Sequence, residues 1–203
     1  QNADVFVEVS GILKALATSL IKIAQDLRLM SSGPHGGLGE IRLPPRQAGS
    51  SIMPGKVNPV IPESVIQAGM LICGHDAVIA HAAASGNLEL NAFLPLIAEC
   101  LLESIELLGR TCDRFARFCV RGIEADEDRC RRHVDGSTAT ATALVDSIGY
   151  DRATAAAAEA DASGRSIREI VVANGWMSEE DFAACISAER VMQLGSRPRR
   201  EQP

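Results

Sequence analysis

Three long stretches of helical apolar periodicity constrain the fold of this chain more than any other feature. In residues 4–30, apolar side chains recur at steps of three and four, a pattern typical of long helices packed almost in parallel. These positions are Val5, Val9, Ile12, Leu16, Ile23, Leu27 and Met30, with Ser19 at one polar position. The spacing predicts a single helix over most of this stretch.

Two further stripes of apolar side chains, again at steps of three and four, follow along the chain. The second comprises Val65, Ala68, Ile72, His75, Ile79 and Ala82. The third comprises Leu94, Ala98, Leu101, Ile105, Leu108, Cys112, Phe115 and Cys119. We interpret His75, which lies within the second stripe, as a hydrogen-bonded core histidine. Because helices this long cannot hide such stripes within one small monomer, we predict an oligomeric helix bundle.

Composition supports an all-α fold and excludes several classes of function. Apolar residues make up 46% of the chain but aromatic residues only 3%, so the core must consist of Leu, Ile, Val and Ala, as in close-packed helices. The net charge of −6 argues against a nucleic-acid partner. No apolar run approaches the ~20 residues that cross a bilayer, so no membrane association is expected. The six cysteines form no CxxC pair, and we expect a cytoplasmic protein without metal or cofactor.

The long helical periodicity ends near residue 123, and shorter segments follow. Short helices are predicted over 125–134, 137–147, 150–163, 166–174 and 178–187. Their expected caps are Ser166 and Ser178 at amino ends and Gly149, Gly164 and Gly175 at carboxyl ends. We therefore predict two domains, a helical-bundle domain over 1–123 and a small helical domain over 124–203. The first residue is Gln1 rather than Met, and we expect the chain to be a piece of a longer protein.

The connection between the first two long helices differs in kind from the helices. Residues 31–62 hold six of the nine prolines and six glycines, and an irregular connection longer than ~15 residues is usually functional. Its segment 49–59 has the sequence GSSIMPGKVNP, with two hydroxyls, an ammonium group and a carboxamide. Backbone N–H groups near glycine, together with Lys56 and Asn58, suit an anion. Because Val57 follows Lys56, the phosphate-binding GxxxxGK[ST] pattern is not met, and a carboxylate fits better. A plain solvated Gly/Ser loop is the alternative.

Four segments resemble the aspartase/fumarase superfamily. Residues 49–58 match its signature GSSxxPxKxN in full, and SGPHGGLGE at 32–40 is similar to its SGPRxGLGE segment. GNLELN at 86–91 resembles its GxLELN turn, and the carboxyl end from residue 166 resembles its last small domain. The resemblance implies an all-α bundle in a homotetramer whose active sites combine residues from three subunits. It also implies that an amino-terminal half, with most substrate-binding residues, is missing here.

The resemblance also implies roles for loop 48–59. Ser50 would be the general base that takes a proton from the carbon next to a carboxylate, once the loop closes and excludes water. Ser51 would donate to the substrate, while Lys56 and Asn58 would hold the carboxylate that becomes more negative in the transition state. Glu63 aligns with the acid that orients a histidine in the family, and that histidine is not in this chain.

The substrate implied is a small dicarboxylate. Residues 59–63, PVIPE, and Gln47-Ala48 are similar to the version that releases ammonia from L-aspartate, and a malate-dehydrating class II fumarase is the alternative. His35 stands where the family commonly has Arg, and Asp146 lies in a segment that departs from LNPxIGY. We expect the isolated chain to lack lyase activity. A non-catalytic helical assembly module is the alternative from another class.

Overall fold

The computed structural model describes residues 2–47, 53, 56–187 and 190. It confirms the all-α prediction: eight α-helices dominate the described residues, with one short 3₁₀ helix and one ladder of two-residue strands. The chain divides into two compact units, Gln1–Asp126 and Glu127–Pro203.

The first unit consists of three long helices and the segments that join them. Its helices are α1 (Asp4–Met30), α2 (Val60–Ala84) and α3 (Leu94–Phe118), followed by the 3₁₀ helix Val120–Gly122. Strand β1 (Ile41–Arg42) pairs antiparallel with β2 (Glu124–Ala125). The predicted first helix is confirmed over its full length.

The fully buried residues of α1 are small and are not those of the predicted stripe. They are Ser10, Ala17 and Ala24, spaced by seven. On the facing helix, a Cβ added at Gly69 would lie 2.6 Å from Ile21 Cγ1, so a larger residue would require the Ile21 side chain to shift. Five positions of the predicted stripe are exposed in the single chain, Ile12 at 66%, whereas Leu27 and Met30 are half-buried and Leu27 packs in the core of the helices. Small residues allow the two helices to approach, which leaves the large residues facing outward.

The stripe predicted for α2 is confirmed, but the stripe predicted for α3 is partly wrong. All the predicted α2 positions other than His75 are buried. On α3, Leu94 and Ile105 are exposed, and the buried residues are Ile97, Cys100, Ser104, Leu108 and Phe115. The amino-terminal half of α3 is therefore rotated relative to the prediction. Ser104 takes a core position because it has a polar partner on α2.

That partner is His75, which is hydrogen-bonded as predicted but only partly buried, with 20% of its side chain exposed. The His75 Nδ1 atom lies 3.0 Å from Ser104 Oγ, which itself donates to the Cys100 carbonyl at 2.7 Å. The His75 Nε2 atom lies 3.7 Å from Glu103. These contacts favour one register of α2 against α3. Sliding one helix along the other would separate His75 from Ser104, and losing a hydrogen bond to a buried hydroxyl costs free energy.

A second polar contact joins α1 and α2. Asp76 is buried, accepts a hydrogen bond from Ser10 Oγ at 2.8 Å and pairs with Lys14 Nζ at 2.5 Å. Burial alone would raise the pKa of Asp76, but the hydrogen bonds from Lys14 and Ser10 outweigh it and lower the pKa. Asp76 is therefore a paired carboxylate within the bundle.

Helix α2 is by length and composition alone apolar enough to cross a membrane, which the sequence analysis did not predict. Of its most apolar window, 44% is buried inside the protein. It carries the paired Asp76 and packs against both α1 and α3. Packing within the first unit accounts for the buried part of this composition, while Met70 and Leu71 of the same helix remain more than half exposed.

The second unit consists of five short helices around one core. They are α4 (Glu127–Asp135), α5 (Thr140–Ile148), α6 (Tyr150–Ser163), α7 (Ile167–Ala173) and α8 (Glu179–Cys185). The predicted caps are confirmed: Ser166 forms a capping box with Glu169, and Ser178 accepts from Asp181 N. Each of the three predicted carboxyl-terminal glycines has a positive φ, which glycine adopts without strain.

Candidate functional site

The candidate site lies where the connection between α1 and α2 meets the carboxyl end of α3. The first part of the connection folds back on α1. Ser32 Oγ accepts from Leu38 N at 3.1 Å, and Glu40 N donates to Met30 O at 2.9 Å. A Cβ on Gly37 would lie 2.5 Å from Ser32, so this turn requires glycine. The segment similar to SGPRxGLGE thus forms a compact turn at the end of α1.

The next part, residues 41–46, is attached along the chain that follows α3. Ile41 and Arg42 pair with Ala125 and Glu124 in the two-stranded ladder, and Arg42 Nη2 lies 3.2 Å from Asp126. A Cβ on Gly122 would lie 2.6 Å from Pro44 Cγ. The backbone is therefore held closely up to the residues just before the loop.

Arg46 makes the last of these attachments. Its Nε donates to the Phe118 carbonyl at 3.1 Å, and its guanidinium carbon lies 5.2 Å from the centroid of the Phe118 ring. Phe118 is the last residue of α3, where carbonyl groups lack helical partners and the helix dipole is negative. The positive charge of Arg46 therefore interacts favourably with the carboxyl end of α3.

The predicted general base and its neighbour lie outside the described residues. Ser50 and Ser51 belong to the range 48–52, which the structure does not describe. Within the loop, Met53 is exposed, and its carbonyl accepts from Lys56 N at 3.2 Å. Lys56 is exposed and Asn58 is half-buried. The roles of the two serines, the lysine and the asparagine remain predictions.

Glu63 lies in the first turn of α2, immediately after the loop. Its backbone N–H donates to Pro59 O at 3.1 Å, and its carboxylate lies 3.4 Å from Arg28 Nη2 in the last turn of α1. A carboxylate near a helix amino terminus is favoured by the dipole. The Arg28–Glu63 pair thus joins the end of α1 to the start of α2, although both side chains are more than a third exposed.

A shallow recess connects the two sides of the loop base. Its lining includes Arg46 from the amino-terminal side, Asn58 from the carboxyl-terminal side and Phe118 from the end of α3. Lys56 is not among the lining residues. Cys119 also lines the recess, and burial raises the pKa of its thiol, so it remains protonated and unreactive near neutral pH.

Sequence reasoning missed Arg28 and Arg46. Neither lies in a motif, and Arg46 occupies an irregular, proline-rich segment. Their only common signal is position, since one ends α1 and the other precedes the loop. Within 2–47, 53, 56–187 and 190, no group of three or more His, Cys, Asp or Glu side chains could hold a metal ion.

Two family models match the chain. The model described as "Lyase" matches residues 1–74, and the model described as "Fumarase C C-terminus" matches residues 141–193. The first match includes the candidate loop and Glu63. The second falls within the unit of short helices.

Curated relatives of two kinds are similar to the chain. The aspartate ammonia-lyase of Pseudomonas canavaninivorans is 50% identical over 174 residues, covering 86% of this chain and 37% of that protein. The class II fumarate hydratase of Pseudomonas syringae pv. tomato is 42% identical over 188 residues, covering 93% of this chain and 40% of that protein. The chain thus spans about 40% of the length of these relatives.

Solved structures give the same result for the fold. A fumarate lyase:delta crystallin from Brucella melitensis superposes with a TM-score of 0.82 at 51% identity, covering 90% of this chain and 41% of that one. The class II fumarase of Schistosoma mansoni superposes with a TM-score of 0.80 at 36% identity, covering 91% of this chain and 38% of that one.

Proposed function

Because the chain belongs to the aspartase/fumarase superfamily of lyases, we propose that it is the carboxyl-terminal part of an ammonia-lyase that converts L-aspartate to fumarate and ammonia. The observation that carries this proposal is the ten-residue motif at 49–58. It stands directly before a core helix of the bundle and within the part of the chain that matches the lyase model.

The proposed reaction begins at the carbon next to a substrate carboxylate. Ser50 takes a proton from that carbon, and the electron pair delocalises into the carboxylate as an enediolate-like carbanion. The carbon–nitrogen bond on the neighbouring carbon then breaks on the opposite face, ammonia departs and the double bond of fumarate forms. Ser50 acts as its alkoxide, after its hydroxyl proton has passed to solvent, because the neutral hydroxyl is too weak a base. A serine hydroxyl is too weak an acid to ionise in water, so the alkoxide exists only where water is then excluded and hydrogen-bond donors stabilise its charge.

The other residues of the site stabilise the charge that develops. Lys56 supplies a cation, Asn58 an amide donor and Ser51 a hydroxyl donor to the carboxylate. Glu63 orients a histidine supplied from outside this chain. The half-buried position of Asn58 in the recess supports a binding role for its amide.

The complete site requires more chain than these 203 residues. Large apolar residues line the outward faces of the long helices, including Val5, Ile12, Met70, Leu71 and Leu102, all more than half exposed. Such surface is unusual on a monomer, and it supports assembly into a homotetramer that includes an amino-terminal half. We expect the isolated chain to release no measurable fumarate from L-aspartate.

A hybrid enzyme tests the proposal directly. In it, this chain replaces the matching carboxyl-terminal part of the aspartate ammonia-lyase of Pseudomonas canavaninivorans. We expect fumarate release from L-aspartate, followed by its ultraviolet absorbance, and a much slower reaction with L-malate. An assembled hybrid that leaves L-aspartate unchanged would contradict the proposal.

Two other functions have specific support. Class II fumarate hydratases match the chain as extensively as aspartate ammonia-lyases, and a hybrid that prefers L-malate would establish that activity. The exposed apolar faces also fit a non-catalytic assembly module. In that case, replacing Ser50 would leave both assembly and any activity of the hybrid unchanged.

A further inference from the structure

We propose that Arg46 is a positioning residue, which attaches the amino-terminal base of loop 48–59 to the carboxyl end of α3 and so influences the reaction through the loop. The attachment is a property of the first unit alone. Its catalytic consequence rests on the proposed function, so the two are tested by different measurements.

The Arg46 side chain makes two contacts with one residue. Its Nε donates to the Phe118 carbonyl at 3.1 Å, while its guanidinium plane lies over the Phe118 ring at 5.2 Å. A planar guanidinium can donate from Nε and stack in the same position, whereas the tetrahedral ammonium of lysine cannot do both. The contact pair therefore depends on arginine and not simply on positive charge.

The position of Arg46 in the chain gives these contacts their consequence. The preceding residues are held by the β1–β2 ladder, the Arg42–Asp126 pair and the close packing of Pro44 on Gly122. Only Gln47 separates Arg46 from the loop. Among the residues that the structure describes before the loop, Arg46 is the last one with such a contact.

The recess connects this attachment to the residues after the loop. Arg46 and Asn58 line the same recess, together with Pro59 and the end of α3. A change in the Arg46 contact would therefore change the lining of the recess that Asn58 shares. Asn58 is the proposed amide that binds the reacting carboxylate. A change in its placement should therefore weaken stabilisation of the transition state more than it weakens binding of the unreacted substrate.

Arg117 provides a matched control. Its guanidinium carbon lies 5.6 Å from the same Phe118 ring. Unlike Arg46, it belongs to α3 and pairs with Asp113 one turn earlier. Arg117→Ala therefore removes an arginine from the same ring without changing the hydrogen bond that attaches the loop base.

The first test is independent of catalysis and uses the 203-residue chain. We expect Arg46→Lys and Arg46→Ala to accelerate amide hydrogen exchange at Asp126, whose N–H donates to the Glu40 carbonyl at 2.8 Å beside the β1–β2 ladder, by about tenfold, the scale of one lost charge-assisted hydrogen bond. Arg117→Ala should leave this rate within about twofold. Equal rates for Arg46→Lys and the parent chain would overturn the proposed attachment.

The second test uses the hybrid enzyme. We expect Arg46→Lys to lower kcat by about tenfold with KM changed by less than about twofold, since loop position affects the transition state selectively. Arg117→Ala should retain kcat. A kcat unchanged by Arg46→Lys would overturn the positioning role. If the hybrid with Arg46 intact is inactive, the proposed function fails, and the exchange test still decides the attachment.

Discussion

The two compact units bury their apolar residues in different ways. In Glu127–Pro203, nine buried residues form a single cluster that includes Phe182. In Gln1–Asp126, the buried residues are divided among three smaller clusters along the long helices. Over the same helices, Ile12 and Met70 remain 66% and 59% exposed.

This difference shows which part of the molecule is complete by itself. The unit of short helices surrounds its own core, with helix ends fixed by side-chain caps. The long-helix unit fixes its register by polar contacts within the chain and presents its largest apolar residues outward. We propose that the first unit buries these outward apolar residues against other chains.

The largest effect is expected at the outward face of α1. Ile12→Glu places a charge on the exposed stripe, and burying it without a partner costs several kcal/mol, about 2–7 for a polar group and more for a charge. We expect light scattering to show loss of the assembled state with helical content retained. Thr18→Glu, also exposed but off the stripe, should assemble normally. An assembled Ile12→Glu chain would show that this face needs no partner.

A core substitution in the second unit should cost nearly as much. Phe182→Ala removes a fully buried ring, which we expect to lower the free energy of unfolding by about 3–5 kcal/mol. Trp176, the only tryptophan, packs against the same cluster, so its fluorescence in urea reports this unit. Phe93→Ala, at an exposed position of the first unit, is the control and should leave that transition unchanged.

The polar contact between α1 and α2 should contribute less and depend on pH. Asp76→Asn removes the charge of a buried carboxylate that Ser10 and the half-exposed Lys14 hold, at an expected cost of about 1–3 kcal/mol in the first unit near neutral pH. Because folding lowers the pKa of Asp76, its contribution is present above the unfolded value of 3.8 and is lost as the pH falls through the folded value. The rates of amide hydrogen exchange in α1 and α2, measured as a function of pH, report this contribution to stability.

The exposed pair Lys22–Asp26 on α1 serves as the control for Asp76. Asp26→Asn should change stability by at most about 0.5 kcal/mol. If the two substitutions have equal effects, or if Asp76→Asn leaves the pH dependence unchanged, the contact does not hold the helices together.

The smallest effect is expected at a helix cap. Ser166 accepts from Glu169 N at 3.2 Å, and Glu169 accepts from Ser166 N at 3.0 Å. Ser166→Ala should lower the stability of the second unit by about 1 kcal/mol, as followed by Trp176 fluorescence. Ser163→Ala, in the last turn of α6, should have a smaller effect. A larger loss at Ser163 would contradict the assigned cap.

The helix limits were predictable because periodicity and caps are local properties of the sequence. The orientation of the long helices was not. Large residues such as Ile12 dominate any periodicity analysis, yet α1 meets α2 through Ser10, Ala17 and Ala24, because small residues permit close approach. On α3, Ser104 occupies the core through its contact with His75, a preference that no one-helix pattern contains.

In the candidate site, too, local features could be predicted from the sequence and contacts between distant residues could not. Residues 49–58 form a contiguous motif, so Ser50, Lys56 and Asn58 could be proposed from the sequence. Arg28 and Arg46 could not, because their partners Glu63 and Phe118 are 35 and 72 residues away in the chain. Only the folded backbone brings them to the base of the loop.

The most direct test of the account is the rate of fumarate release from L-aspartate by the hybrid enzyme before and after Ser50→Ala. We expect the substitution to lower kcat by about 100- to 10,000-fold, the usual contribution of a general base, with assembly unchanged. An assembled hybrid that retains its full rate without the Ser50 hydroxyl would contradict the claim that this loop carries the base.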